Sequence, residues 1–251
     1  MKKIISILLT LVLILTALTA LVSCGGGGAA MSDEAESQMR SINAMFDSLV
    51  PTQSVTTTTQ KIGALELTSV ATLTVGAVDG NAAATYINEY EELAPLDGSN
   101  NANLLLKKTD KLWYVEGKGL CKNGNGKWIA DGEDFRPKAG DIKLTLAKSM
   151  FLTAEYDAET ETFTATMDKT NANALLADFL AEDQKIASGL TLTITTAGGR
   201  ISMLKLEYTE PEHDVLISEE DADEEEYVAI PEALVTIEVR YSYDAKVITL
   251  N

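Results

Sequence analysis

The sequence predicts an α+β protein, mainly antiparallel β, in which one large sheet is accompanied by a few helices. Three observations carry this. Over most of the chain beyond residue 56, apolar residues alternate with threonines and charged residues, the two-residue period of a half-buried strand. The alternating runs are separated by short polar or glycine-bearing turns, which is the layout of hairpins. Three other stretches repeat their apolar residues every three or four positions, as helices do.

The chain opens Met1-Lys2-Lys3 and is almost wholly apolar over residues 4–22, with small Ser23 before Cys24. Two lysines, an uncharged apolar run and a small residue form the layout of a secretory signal. A membrane-spanning anchor is the alternative, because the run approaches the length that crosses a bilayer. Against it, Gly25 to Gly28 follow with no positive stop-transfer flank. Leu21-Val22-Ser23-Cys24 resembles the lipobox of bacterial lipoproteins. That resemblance implies cleavage before Cys24 and a thioether-linked diacylglycerol on Cys24, with acyl chains of the palmitate kind. Each buried methylene contributes about 0.8 kcal/mol of membrane affinity, so two chains suffice for lasting anchorage. The chain then divides into a signal peptide (1–23), a flexible glycine-rich tether (24–31) and a single domain (32–251) that contains an acidic loop (210–231).

Ser32 is a good N-cap, and Asp33, Glu34 and Glu36 suit the positive end of a helix. Ala35, Met39, Ile42, Phe46 and Leu49 form its apolar stripe, and Pro51 stops it. The stripe needs a partner, most simply a face of the sheet. Leu65, Leu67, Ala71, Leu73 and Val75 share one face of a strand, with Glu66, Thr68, Thr72 and Thr74 on the other. Asp79-Gly80-Asn81 turns the chain into a second strand over residues 82–92. Residues 104–107 and 112–115 read as a hairpin about the polar residues 108–111, and a short strand over 127–130 follows turn-rich residues 117–126. Residues 141–151 fit both periods and are read as a short helix, because Ile142, Leu146 and Met150 recur at helical spacing. Residues 152–156 and 162–167 form a further hairpin, and Asn171 caps a helix with Leu175, Leu176, Phe179 and Leu180 as its stripe. Leu190, Leu192 and Ile194 alternate with threonines up to Gly198-Gly199, whose positive φ angles allow a two-residue turn into a returning strand over 201–208. Residues 210–231 interrupt the sheet. Val235, Ile237, Val239, Tyr241 and Tyr243 then share one face of a closing strand.

Cleavage of the signal leaves 251 − 23 = 228 residues and takes away Lys2 and Lys3, so the formal charge falls from −18 to −20. So acidic a surface disfavours nucleic acid and anionic head groups, and leaves the acyl chains rather than a basic patch as the anchor. With Cys24 given to the lipid, Cys121 has no intramolecular partner; it is read as a packed thiol, and stability must come from core burial.

The order of a tethered helix, paired strands, a turn-rich middle, a small helix, the Gly198-Gly199 hairpin and the closing strand resembles the LolA-like lipoproteins, in particular the LppX and LprG group. The resemblance implies a strongly curved half-barrel sheet with helices covering its concave face, and an apolar cavity between them that receives acyl chains. The inserted acidic loop departs from that family. On this footing Leu190, Leu192, Ile194, Val235, Ile237, Val239 and Tyr241 are the candidate ligand-binding residues, provided that their faces are concave. The alternative is that the same side chains fill a solid core, as in a surface interaction or structural lipoprotein without a small-molecule ligand.

Catalytic chemistry has no foothold in the pattern. His213, the one histidine, stands between Glu212 and Asp214, without a Gly-x-Ser-x-Gly elbow. Gly124-Asn125-Gly126-Lys127 fails the spacing of a phosphate loop, since Cys121 occupies the first glycine position and Trp128 follows the lysine. The acidic residues 219–226 lack the glycine of a calcium loop and read as a solvated charge run. Trp113 and Trp128 fit sheet packing better than a sugar platform. The expectation is a monomeric, lipid-anchored protein on the extracytoplasmic face of a cell membrane, with no cofactor, no metal and no enzymatic activity, whose partners are the membrane and a lipid or lipoprotein ligand.

Overall fold

The computed structural model describes residues 31–93, 105–122, 128–129, 143–177, 186–216 and 227–248. The strands are β1 (Gln53–Ile62), β2 (Leu65–Val78), β3 (Asn81–Leu93), β4 (Leu105–Val115), β5 (Gly119–Lys122), β6 (Trp128–Ile129), β7 (Thr153–Asp157), β8 (Thr162–Met167), β9 (Leu190–Ala197), β10 (Arg200–Glu210), β11 (His213–Leu216), β12 (Tyr227–Ile230) and β13 (Ala233–Ser242). The helices are α1 (Asp33–Asp47) and α2 (Lys169–Leu175). Eleven strands form one open, curved, antiparallel sheet in the order β6-β5-β4-β3-β2-β1-β13-β10-β9-β8-β7, and β11 pairs with β12 in a separate ribbon.

Two meanders build this sheet. One runs outward from β1 to β6, the other from β13 through β10 to β7, and they join where β1 pairs with β13, Gln53 opposite Ser242 through Lys61 opposite Leu234. The first and last strands of the domain therefore meet at the centre of the sheet. A shift of register between Ile201 and Met203 marks a bulge in β10, a device that bends a strand and increases its twist. The Gly198-Gly199 turn has φ angles of 58° and 72°, as a two-residue hairpin of the favoured hand requires.

Alternation along the strands separates two faces. On the concave side Leu190, Leu192 and Ile194 of β9 meet Leu204 and Leu206 of β10 and Val235, Ile237 and Val239 of β13. The convex side carries threonines: Thr153 and Thr166 share a 2.6 Å hydrogen bond across β7 and β8, and Thr162 and Thr195 one of 3.2 Å across β8 and β9. Small β-branched hydroxyl residues suit a solvated sheet face.

α1 closes the concave side over β7, β8 and β10. Ser32 caps it as expected, its Oγ accepting from the Ala35 N–H at 3.1 Å, and Ala35, Met39, Ile42, Phe46 and Leu49 are all buried. Burying each large apolar side chain contributes roughly 1.5–3 kcal/mol, so the stripe rather than helix propensity holds α1 in place. Phe151 and Phe163 meet edge to face beneath it, with centroids 5.9 Å apart.

Several expectations are corrected. Residues 141–151 are not a helix where described: Leu144 and Leu146 are both buried from an extended segment, and only Lys148–Met150 forms a 3-10 turn. The alternating period wins because Asn43 of α1 pairs with the Leu146 backbone, donating from Nδ2 to its carbonyl at 2.8 Å and accepting from its N–H at 2.9 Å. Residues 108–111 are no turn but the middle of β4, which stays paired with β3 throughout. A turn at Gly63 separates β1 from β2. The N-cap of α2 is Asp168, not Asn171, since Asp168 Oδ1 accepts from the Asn171 N–H at 2.8 Å. The excursion between β10 and β13 holds the β11–β12 ribbon.

After β13 the chain lies on the convex face. Ile248 is buried there with Ala83 and Val115, and Gly76 makes room for it: a Cβ at Gly76 would stand 3.0 Å from the Lys246 carbonyl oxygen and 3.1 Å from Ile248 Cγ1.

Candidate functional site

The concave face has two unlike halves. In the half formed by β7, β8, β9, β10 and β13, the apolar side chains are buried. Leu190, Leu192, Ile194, Val235, Val239 and Tyr241 are buried in one continuous core with the α1 stripe, Phe151, Phe163, Ala172 and Leu176, and Ile237 packs against that core half-buried. The seven candidate ligand-binding residues are thus brought together on one face, beneath the buried stripe of α1. A second asparagine helps to seal this half: Asn173 of α2 donates to the Ile186 carbonyl at 3.2 Å and accepts from its N–H at 2.9 Å.

The half formed by β2, β3, β4 and β5 is different. Its concave side carries Leu65, Leu67, Leu73 and Val75 on β2, Ala84, Tyr86 and Tyr90 on β3, Leu106, Leu112 and Tyr114 on β4 and Leu120 on β5, following the cross-strand register. Leu73, Ala84 and Tyr114 are buried, while Leu65, Leu67, Val75, Tyr86, Tyr90, Leu106, Leu112 and Leu120 are half-buried. Among the described residues, neither α1 nor α2 packs over these strands as α1 does over the other half. A polar spot interrupts the apolar surface. Asn88 is 2% exposed and its Oδ1 accepts from Ser69 Oγ at 2.9 Å, and in register it lies between Ala71 and Asp110. Burial, and secondarily the Asp110 carboxylate, pushes the Tyr86 hydroxyl up to about 12.

A groove of about 370 Å³ opens where the end of α1 faces the β9–β10 hairpin, lined by Met45, Ser48, Leu49, Val50, Gly199, Arg200, Ile201 and Tyr243. The Arg200 guanidinium lies over the Tyr243 ring, 4.9 Å from its centroid, and the Tyr243 hydroxyl donates to the Ile201 carbonyl at 2.7 Å. Burial raises the Tyr243 pKa while the Arg200 charge opposes the shift. None of the seven residues singled out from the sequence borders this groove. Arg200, Tyr243 and Val50 escaped sequence reasoning because they come from three separate elements; the one available signal was an arginine directly after a glycine turn.

Cys24 lies outside the described residues, as do Gly124 to Lys127 and the acidic residues 219–226. His213 opens β11 in the separate ribbon, away from the main sheet order. Trp113 is half-buried on the convex side, and Cys121, which pairs with it in register, is a buried free thiol. Among the described residues no group of three or more His, Cys, Asp or Glu is placed to hold a metal ion, and no helix is long and apolar enough to cross a membrane.

No family model matches the sequence, and no curated protein matches it. Several solved structures align with the fold at low identity. LprF from Mycobacterium bovis is 10% identical, with 90% of this chain and 98% of that chain covered at a TM-score of 0.39. A LolA superfamily protein from Nitrosomonas europaea is 8% identical, with 86% and 94% covered at a TM-score of 0.22. A DUF1329 family protein from Desulfovibrio piger is 9% identical, with 84% and 94% covered at a TM-score of 0.24. The architecture itself, a curved antiparallel sheet with helices on its concave face, is the one that the resemblance to the LolA-like lipoproteins implied.

Proposed function

We propose that this protein is an extracytoplasmic lipoprotein, anchored to a membrane through lipidated Cys24, that shelters an apolar ligand, a lipid or an acyl chain, against the concave face of its sheet. The observation that supports this reading is the asymmetry of that face. Under α1 the sheet is filled by its own side chains, but across β2 to β5 a broad run of leucines, valine and tyrosines is only half-buried. A contiguous apolar surface that the chain itself covers only in part is the kind of surface at which an apolar ligand gains from burial. In this reading the ligand lies over Leu65, Leu67, Val75, Tyr86, Leu112 and Leu120, and Ile237, half-buried at the boundary opposite Thr58, is the member of the β9 and β13 set that touches it. Affinity follows buried apolar area at about 25 cal/mol per Å², less the costs of association. No bond is made or broken, so the reading assigns no catalytic residue.

The packed half favours a second reading, a solid-core module that docks another surface protein. Lipid extraction and a binding assay separate the two. The purified protein should release lipid detectable by mass spectrometry and bind a fluorescent diacylglycerol, and Leu67→Glu with Leu112→Glu should weaken that binding at least about tenfold, the effect of placing charge on a surface that must be desolvated. Absence of both extracted lipid and probe uptake would leave the docking module. Separately, the protein should incorporate labelled palmitate, and Cys24→Ser should abolish that labelling.

A further inference from the structure

We infer that the ligand of the β2 to β5 face is an uncharged lipid bearing hydroxyl or ester oxygens, and that a belt of side-chain hydroxyls and one amide, centred on Asn88, receives those oxygens. The inference rests on the reading of that face as a lipid site and names the class of lipid.

The belt follows from the register. Val239, Thr56, Ala71, Asn88 and Asp110 form one row across β13, β1, β2, β3 and β4, and Ile237, Thr58, Ser69, Tyr90 and Lys108 form the next. Residues paired across strands share a face, so these polar groups stand on the concave side with Val239 and Ile237. Apolar residues flank the two rows, Leu73, Tyr86 and Leu112 on one side, Leu67 and Leu106 on the other. A hydrocarbon chain lying along this face therefore has apolar surface at both ends of its path and hydrogen-bonding groups between.

The belt also has unused capacity. Asn88 is 2% exposed, and its Oδ1 accepts from Ser69 Oγ at 2.9 Å. Among the described residues nothing accepts from the two N–H donors of its amide, and nothing engages the hydroxyls of half-buried Thr56 and Thr58. On a surface that met only hydrocarbon, a buried amide with idle donors would be a penalty, because desolvation of those donors is not offset by any bond. An alcohol or ester oxygen removes the penalty: it accepts from the amide, and an alcohol also exchanges bonds with the threonine hydroxyls on either side.

Charge selects among lipids that carry such oxygens. Thr56, Thr58, Ser69 and Asn88 are neutral, and at the outer end of the belt Lys108 and Asp110, both exposed, are of opposite sign. A charged head group would leave water for partners that bring it no net countercharge. An anion meets the further opposition of a chain with formal charge −18.

The test displaces the fluorescent diacylglycerol from the purified, delipidated protein with monooleoylglycerol, octadecene or ionised oleate. The readout is the affinity for monooleoylglycerol relative to octadecene in each protein, since the partitioning of the chain itself then cancels between wild type and variant. Asn88→Leu should lower that ratio at least about tenfold and Thr56→Val, which keeps shape and β-branching, about threefold, with octadecene itself displacing the probe as before. Ionised oleate should compete at least about tenfold more weakly than monooleoylglycerol in the wild type. Unaltered octadecene displacement shows that the face is intact in a variant, and should Asn88→Leu not fold, Thr56→Val decides. A ratio indifferent to the substitutions would mean that water satisfies Asn88 and would overturn the inference, as would oleate competing as well as monooleoylglycerol. In both outcomes the lipid site still stands, whereas failure of the diacylglycerol and all three competitors to bind would remove the site and the inference together.

Discussion

Tyr86 shows how one side chain reports on the half-covered part of the concave face. It faces Leu73 and Leu112 across its neighbouring strands, and its hydroxyl is moved from 10.0 up to about 12, first by burial and then by Asp110. A raised pKa on an acid means that the folded state binds the proton more tightly than the unfolded chain does. Its contribution to stability is complete below pH 10 and is lost as pH rises toward 12, over a window worth on the order of 2 kcal/mol. Tyr86→Phe should therefore flatten that alkaline loss in urea unfolding series measured from pH 9 to 12. Some of the loss should persist, because burial and the Glu210 carboxylate also push the Tyr208 hydroxyl upward. Equal alkaline slopes in the two proteins would mean that Tyr86 is open to water. None of this was legible in the sequence, where Tyr86 is one of several tyrosines in alternating runs.

At the scale of elements, α1 was readable almost residue by residue. Its cap, its acidic first turn and its stripe of Ala35, Met39, Ile42, Phe46 and Leu49 are local features, and the structure buries all five. The segment that it pins was misread. A short polar side chain inside a helix signals little by itself, and only when α1 docks does the Asn43 amide replace a strand partner for Leu146, with bonds of 2.8 and 2.9 Å. Removing it strands a partly buried N–H and C=O. Asn43→Ala should cost about 2 kcal/mol in denaturant titration with an unchanged m-value. Asn43→Asp keeps the acceptor for the Leu146 N–H and should cost less. A loss in Asn43→Ala no greater than an ordinary surface substitution would show that residues 143–147 are held by Leu144 and Leu146 alone.

Over the whole molecule, the two meanders meet at β1 and β13 but differ in what covers them. Backbone hydrogen bonds beneath a packed core open only with global unfolding, whereas those with little cover open locally. Amides of β8, β9 and β10 should thus exchange slowest, and those of β4 and β5 faster by roughly 100-fold or more, in hydrogen exchange read by mass spectrometry. Uniform protection across the sheet would argue that both halves are covered equally and would remove the support for a ligand at β2 to β5. The sequence by itself determined the fold class, the hairpins at Gly80, at residues 158–161 and at Gly198-Gly199, the shared face of the alternating residues on β9 and β13 and the docking stripe of α1, because the period of the apolar residues and the chemistry of caps and turns are properties of neighbours along the chain. Only the tertiary structure decided which half of the concave face is filled, that Leu190, Leu192, Ile194, Val235, Val239 and Tyr241 are core, and that Arg200 and Tyr243 meet the end of α1. Those outcomes depend on how volumes fit between elements far apart in sequence, and periodicity carries no information about volume.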